Sequence, residues 1–196
     1  MKKIILATLC ALTLIGCTTK QQSMENQVID NILTRVSVRQ FTGEPLTQAQ
    51  VDTLLRAAMA APSAVNKQPW AFVVITDKRI IERIGEELPN SRCQNNAPLA
   101  VVLCGDLDKA LEGAGHDFWV QDVAAATENL LLAAHSMGLG AVWTGMYPTP
   151  RAAQVQELLG LPANIVPLAV VPVGYPAEQP AVKQKYNESL IHYNQW

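Results

Sequence analysis

The sequence has few charged and few aromatic side chains, and these shortages exclude several classes of protein. Only 16% of the 196 residues are charged, 6% are aromatic, and the formal net charge is -2. No basic run is longer than two residues, so the chain lacks the positive surface that a nucleic-acid backbone requires. Because 49% of the residues are hydrophobic, a long disordered chain is also excluded. The composition predicts one globular domain with a sizeable core and no nucleic-acid partner.

Catalytic and cofactor motifs that are common in other enzymes are missing. The three histidines, His116, His135 and His192, lie far apart in sequence. No Gly-x-Ser-x-Gly elbow is present, and no Gly-x-Gly-x-x-Gly follows a predicted strand. A serine hydrolase and a doubly wound dinucleotide-binding fold therefore lack their main sequence support.

Cysteine is also scarce, with four residues in the chain. Cys93 and Cys104 have no C-x-x-C spacing and no histidine cluster nearby, which disfavours a metal site or thioredoxin-like chemistry. Two alternatives stay open for this pair. The two thiols could form a disulfide, or Cys104 could pack as a small hydrophobic residue in the apolar run from Leu99.

The N-terminus has the layout of a secretory signal. Lys2 and Lys3 precede an apolar stretch that is shorter than the roughly 20 residues of a membrane-spanning helix. The stretch ends in Leu14-Ile15-Gly16-Cys17, which resembles a bacterial lipobox. We expect a signal peptide over 1–16, a lipidated Cys17 with a polar tether over 17–22, and a folded domain over 23–196. This implies a lipid-anchored protein of the cell envelope, at the outer membrane or periplasmic face; the alternative is an uncleaved apolar N-terminus.

Helices and strands alternate along the rest of the chain. Apolar spacing, caps and glycine or proline punctuation predict each boundary. Helices are expected at about 23–35, 48–59, 78–87, 118–137 and 150–160, and strands at 70–76, 99–104, 141–144 and 165–173. Thr47 and Gln50 have the spacing of a capping box, and Asp77 is a candidate N-cap.

The helix at 118–137 is apolar around most of its circumference. Its polar residues form two rows spaced by seven, Gln121, Glu128 and His135 in one and Asp122, Asn129 and Ser136 in the other. Such a helix must be covered on both sides. The second cover could be another subunit or the core of a monomer.

Four short motifs carry the polar groups that could bind a ligand. In Arg35-Val36-Ser37-Val38-Arg39, alternate polar side chains of an extended segment point to one side and could face one anion, although a solvated surface would look the same. The loop from Pro62 to Trp70 offers neutral donors and acceptors beside an indole. The glycine-rich segment 138–146 could present backbone N–H groups, and Lys183 with Lys185 could close on a phosphate.

In this order and at this spacing, the four motifs resemble the nitroreductase family of flavoproteins, from about Arg35 to Trp196. The Arg-x-Ser-x-Arg and Pro-Ser-x-x-Asn-x-Gln-Pro-Trp segments carry most of the resemblance. It implies an α+β fold, with a mixed sheet flanked by helices, and an intertwined homodimer with FMN at the subunit interface. The dimer would supply the second cover for the helix at 118–137.

The resemblance also implies roles for individual residues. Arg35, Ser37 and Arg39 would contact the phosphate, ribityl and pyrimidine groups of FMN, and Lys183 and Lys185 would clamp the phosphate. A loop of the partner subunit would approach the flavin with the residues equivalent to Pro62, Ser63, Ala64 and Asn66. Backbone amides of Thr144 and Gly145 would approach N5 and O4, and Arg39 would stabilise the reduced cofactor, which makes these three the expected catalytic residues.

The implied reaction is ping-pong hydride transfer through flavin N5, from NAD(P)H or another reduced donor to a nitroaromatic, quinone or similar electrophile. An envelope protein would lie apart from nicotinamide dinucleotides, which are cytoplasmic. The alternative function is therefore a membrane-anchored flavin-binding or interaction lipoprotein without conventional NAD(P)H turnover.

Overall fold

The computed structural model describes residues 18–93 and 95–196 and divides the chain into two compact units. The first unit ends at Thr34 and contains helix α1, Thr18–Thr34. This helix begins earlier than the predicted start at about Ser23, because the polar residues 18–22 include no proline or glycine that would end it. The second unit, Arg35–Trp196, contains the other helices and all the strands of the described residues.

Five strands and four further α-helices make up the second unit. The helices are α2 (Gln48–Met59), α3 (Lys78–Glu87), α4 (Phe118–Ser136) and α5 (Arg151–Leu158). The strands are β1 (Trp70–Ile75), β2 (Leu99–Asp106), β3 (Gly140–Ala141), β4 (Thr144–Gly145) and β5 (Ile165–Gly174). None of the described helices is long and apolar enough to cross a membrane.

Local sequence sets the starts of two helices as expected. The Thr47 hydroxyl accepts the Gln50 N–H, and the Gln50 side chain accepts the Thr47 N–H at 2.9 Å, which forms a complete capping box before α2. The Asp77 carboxylate accepts the Arg79 N–H at 2.9 Å before α3. Both caps satisfy backbone donors that have no partner inside the helix.

The sheet has the order β1-β2-β5-β3, and β4 also pairs with β5. All pairs between these strands are antiparallel, whereas the parallel component of the expected mixed sheet is an isolated bridge between Ser37 and Ala141. The predicted strand 141–144 corresponds to β3 and β4, which keep one register against β5 on both sides of Val142 and Trp143.

Strand β2 lies at the centre of the core, and all eight of its residues are buried. Leu99, Val101 and Leu103 face a cluster that includes residues of α2 and α4. The alternate residues Ala100 and Val102 face a second cluster, with residues of α3 and α5. Helices therefore cover both faces of the sheet, which explains why β2 is a continuous apolar run rather than an alternating one.

Helix α4 packs closely on the sheet at its first turn. Trp119 is 2% exposed, and its ring lies edge-on to Tyr147, with the ring centroids 4.8 Å apart. A Cβ on Gly105 would lie 2.3 Å from Cε3 of Trp119. Glycine at 105 is therefore required for the indole to pack against β2.

Candidate functional site

The segment Arg35–Arg39 is extended and is fixed to the sheet through its middle. The Val38 N–H donates to the Ala141 carbonyl at 3.0 Å, and Ser37 forms the parallel bridge to Ala141. Val38 is buried, whereas Arg39 is exposed and Arg35 and Ser37 are half-buried. The alternation that the sequence predicts is present, and it leaves the three polar residues available on the other side.

A second segment, which follows β5, runs antiparallel to the residues after Arg39. The Thr42 N–H donates to the Tyr175 carbonyl at 3.0 Å, and the Ala177 N–H donates to the Gln40 carbonyl at 2.9 Å. The Arg39 N–H donates to Oε1 of Glu178 at 2.7 Å. These hydrogen bonds bring the C-terminal part of the chain alongside the Arg35–Arg39 segment.

The two segments enclose a cavity of about 240 Å³. Its lining consists of Arg35, Val36, Ser37, Arg39, Pro180, Ala181, Lys183 and Lys185. We call this the cation cavity, because four of the eight lining residues carry a positive charge. The structure thus brings together five of the predicted cofactor-binding residues, Arg35, Ser37, Arg39, Lys183 and Lys185.

One of the four cations is held by a carboxylate. Nε of Arg35 lies 3.2 Å from Oε1 of Glu128 on α4, and the Arg35 side chain is 19% exposed. Within residues 18–93 and 95–196, no salt bridge is formed by Arg39, Lys183 or Lys185. The cavity therefore carries an excess of positive charge, which favours an anionic ligand.

The positive charge of Arg35 also acts on His135, which follows Glu128 in its row on α4. Burial lowers the pKa of His135 from its usual value of 6.5, and the nearby Arg35 guanidinium lowers it further. The imidazole is therefore neutral at physiological pH and adds no fifth cation.

The other two groups of predicted site residues lie outside the cation cavity of the same chain. Pro62, Ser63, Ala64 and Asn66 belong to the loop before β1, and Thr144 and Gly145 form β4. The Thr144 hydroxyl donates to the Asn90 carbonyl at 3.4 Å. One chain alone therefore does not enclose all the predicted cofactor contacts around this cavity.

The loop from Pro62 to Gln68 has an unusual backbone. Val65, Asn66 and Gln68 have positive φ angles of 50°, 55° and 51°. Left-handed conformations are costly for residues with a Cβ, and most of all for a β-branched residue. The Ala64 N–H donates to Oδ1 of Asp122 on α4 at 2.8 Å, which connects the loop to the core.

Sequence reasoning did not assign Asp122, Glu128 or Glu178 to the site. Asp122 and Glu128 belong to the two polar rows of the helix at 118–137, and a carboxylate in a largely apolar helix was the available signal. Glu178 acts through the Arg39 backbone, a contact between residues 139 positions apart that leaves no mark in a local pattern.

A larger cavity of about 410 Å³ lies elsewhere in the second unit. Its lining includes Leu46, Val51, Pro98 and Leu99, with Lys78 as its charged residue. Nζ of Lys78 is 3.7 Å from Oε1 of Glu82. Because none of the four motifs reaches this cavity, it is not the candidate site.

The two cysteines of the second unit are buried and free, and the disulfide alternative is not what the structure shows. Burial raises the pKa of Cys93 to about 11, against a smaller lowering by the Ser91 hydrogen bond, and raises the pKa of Cys104 to about 12. Both are therefore thiols at neutral pH, and neither has the thiolate character of a nucleophile.

A model of the nitroreductase family matches residues 32–91 and 86–175, which include the Arg35–Arg39 segment, the strained loop and β4. The chain belongs to the nitroreductase family. A protein of Methanothermobacter thermautotrophicus named "Putative NADH dehydrogenase/NAD(P)H nitroreductase" is 40% identical over 170 residues, which cover 86% of this chain and 87% of the relative.

Solved structures of other nitroreductases share the fold. A structure of the same name from Parabacteroides distasonis is 45% identical, with a TM-score of 0.82, and the match covers 87% of this chain and 99% of that one. The NADPH:FMN oxidoreductase of Vibrio harveyi, solved in complex with NAD+, is 32% identical, with a TM-score of 0.78, over 87% of this chain and 78% of that one.

The comparisons confirm the expected fold class, and they support the expected class of enzyme and FMN as its cofactor. The expected localisation in the cell envelope is wrong. The relatives are named as enzymes that use NADH or NADPH, and these donors are cytoplasmic. A donor of this kind is not available to a protein of the cell envelope. The predicted signal peptide over 1–16 and lipidation of Cys17 lie outside the described residues.

Proposed function

We propose that this nitroreductase is an FMN-dependent oxidoreductase, which takes a hydride from NAD(P)H and passes it to a small electrophilic acceptor such as a nitroaromatic or a quinone. The observation that carries the proposal is the cation cavity, where Arg35, Arg39, Lys183 and Lys185 meet beside Ser37. FMN, when bound, supplies the hydride-accepting and hydride-donating centre.

The residues of the cation cavity fit the phosphate and ribityl groups of FMN. A phosphate ester carries close to two negative charges, which Lys183 and Lys185, two cations without a salt bridge in the described chain, can neutralise. The planar guanidinium groups offer paired donors, whereas Lys183 and Lys185 act as point charges. The Ser37 hydroxyl is a neutral partner for a ribityl hydroxyl.

Arg39 and the β4 backbone are the proposed catalytic groups of this chain. Arg39 would place a positive charge at the pyrimidine end of the cofactor, where negative charge accumulates on reduction. Backbone N–H groups of Thr144 and Gly145 would orient the reactive edge. No side chain needs to act as an acid or a base in this scheme.

We propose that the active form is a homodimer, because one chain does not bring the three groups of residues together. Members of this family are typically dimers. The C-terminal residues expose large side chains that a second copy would cover, among them Tyr186 at 75%, Tyr193 at 83% and Trp196 at 99%. Each copy would then supply the loop Pro62–Asn66 to the cofactor bound by the other.

Flavin binding and reduction test the proposal directly. The purified protein should bind FMN, and NADH or NADPH should bleach the bound flavin anaerobically before a nitroaromatic or quinone restores its colour. Replacing Lys183 and Lys185 together by alanine should weaken FMN binding by about 100-fold or more, since each charge-assisted hydrogen bond contributes roughly 1.5–3 kcal/mol.

Lys78→Ala is the matched control, because it removes one exposed lysine that does not line the cation cavity. Its FMN affinity should equal that of the wild type. A wild-type protein that cannot be loaded with FMN, or a double lysine variant with unchanged affinity, would contradict the proposal. A loaded protein that dithionite bleaches and NAD(P)H does not would exclude NAD(P)H as the donor.

A further inference from the structure

We propose that Asp122 is a positioning residue, which holds the loop Pro62–Gln68 in a strained shape so that the loop can reach the cofactor bound by a second copy of the chain. This inference rests on the proposed function. The Asp122 carboxylate is 7% exposed and lies within the largely apolar packing of α4.

The Asp122 carboxylate has a defined partner in the loop. Its Oδ1 accepts the Ala64 N–H at 2.8 Å, a charge-assisted hydrogen bond between residues 58 positions apart. A buried carboxylate without such a partner would be strongly unfavourable, so α4 and the loop are coupled by this contact. Helix α4 is itself fixed through Trp119 and Leu130, which are buried in the core.

The loop needs an external hold because its backbone conformation is unfavourable. Val65 has φ 50° and ψ 26°, and its side chain is 81% exposed, so no burial of Val65 compensates for the left-handed conformation. The hydrogen bonds within the loop are short-range: the Asn66 N–H donates to the Ser63 carbonyl at 3.0 Å, and the Gln68 N–H to Ser63 Oγ at 2.9 Å.

In the part of the chain that the structure describes, the backbone N–H groups of residues 63–68 have one hydrogen-bond acceptor outside the loop, and this acceptor is Asp122. Strained backbone of this kind persists where surrounding structure over-determines it, and it concentrates at ligand-binding sites. The Pro62–Asn66 loop is also the segment that the proposed dimer presents to the cofactor. The strained conformation therefore serves cofactor contact, and the hydrogen bond from Ala64 to Asp122 holds the loop in this conformation.

The experiment compares Asp122→Ala and Asp122→Asn with the wild type in the full chain, loaded with FMN. For Asp122→Ala we expect kcat/KM with a nitroaromatic acceptor to fall by about 10-fold or more, together with a changed visible absorption spectrum of the bound flavin. The dissociation constant of FMN should change less, because the cation cavity is built from other segments.

Rescue distinguishes positioning from a general loss of stability. Adding Val65→Gly to Asp122→Ala should restore most of the activity and the flavin spectrum, because glycine adopts this conformation without strain and the loop no longer needs the hold. Asp117→Asn, at the exposed start of α4, is the matched carboxylate control and should behave as the wild type.

Each result has a separate meaning. If the wild type binds no FMN, the proposed function fails. If the wild type turns over and Asp122→Ala matches it in kcat/KM and spectrum, or if Val65→Gly restores nothing, the positioning role is refuted. Should Asp122→Ala not fold, Asp122→Asn carries the test: it keeps the oxygen and loses the charge, and we expect about a 3- to 10-fold loss that Val65→Gly reverses.

Discussion

Replacing Gly140 by alanine should push Val38 out of its position, and with it the Arg35–Arg39 segment that lines the cation cavity. A Cβ at this position would lie 2.6 Å from both Cβ and Cγ1 of Val38 and 2.9 Å from Cγ2. Ordinary carbon contacts begin near 3.5 Å, so Val38 must retreat by about 1 Å. Overpacking of this size costs about 1–3 kcal/mol of stability.

The displacement would pass directly to the side chains of Ser37 and Arg39, which line the cation cavity. Val38 lies between Ser37 and Arg39, and its N–H donates to the Ala141 carbonyl at 3.0 Å, next to the substituted residue. Because a misplacement of 1 Å in a preorganised site can cost about 100-fold, we expect the dissociation constant of FMN to rise by about 10- to 100-fold. Quenching of FMN fluorescence on titration with protein measures it.

Gly138→Ala is the control for stability. Gly138 has a φ of 72°, and a Cβ added there would have no neighbouring atom within 4 Å, so alanine strains the backbone without touching Val38. It should lower the melting temperature and leave FMN affinity unchanged. Val38→Gly in the Gly140→Ala background should recover affinity, because it removes the Cβ and both Cγ atoms that the new methyl group would meet.

Equal FMN affinity for Gly140→Ala, Gly138→Ala and the wild type would refute this reasoning. So would a Gly140→Ala variant whose affinity is lost and does not improve when Val38 is shortened, since the loss would then not arise from the contact.

Thiol labelling, acid titration and a core glycine provide three further tests. Cys93 and Cys104 should be unreactive toward a disulfide reagent in the native protein at neutral pH and should both react after unfolding in guanidinium, so labelling of either in the native state would contradict their burial. Because the pKa of His135 is lower in the folded state, its contribution to stability is present above pH 6.5 and is lost as the pH falls below that value. The variant His135→Gln should therefore make the free energy of unfolding fall less steeply below pH 6.5. An unchanged slope would contradict the lowered pKa. Gly105→Ala should cost about 1–3 kcal/mol or more in denaturant titrations, because the new Cβ would lie 2.3 Å from the Trp119 ring, and a variant as stable as the wild type would disprove that close contact.

The parts of the fold that local chemistry decides could be predicted from sequence. The caps at Thr47 and Asp77 depend on residues within three positions, and the buried strand at Leu99 depends on a continuous apolar run. Each of these signals lies within a short stretch of sequence, so it can be read without knowledge of the tertiary structure.

The cation cavity was predictable in its residues and not in its construction. Arg35 and Lys185 were placed together by resemblance to a family, whereas the hydrogen bonds that align residues 40–42 with 175–177 join distant backbone groups. Backbone pairing has no side-chain signature, so no local pattern could indicate it. The positive φ of Val65 was equally hidden, because valine is the residue type least expected there.

Residues 39–42 run antiparallel to residues 175–178 in the second unit. The hydrogen bond between the Arg39 N–H and the Glu178 carboxylate joins residues that are 139 positions apart in the chain. An anion that bridges the arginines of the first segment and the lysines of the last acts as a non-covalent cross-link that closes this long loop. If the proposed cofactor binds in the cation cavity, its occupancy would therefore also determine how readily these two segments separate, so that ligand binding would contribute to the stability of the fold.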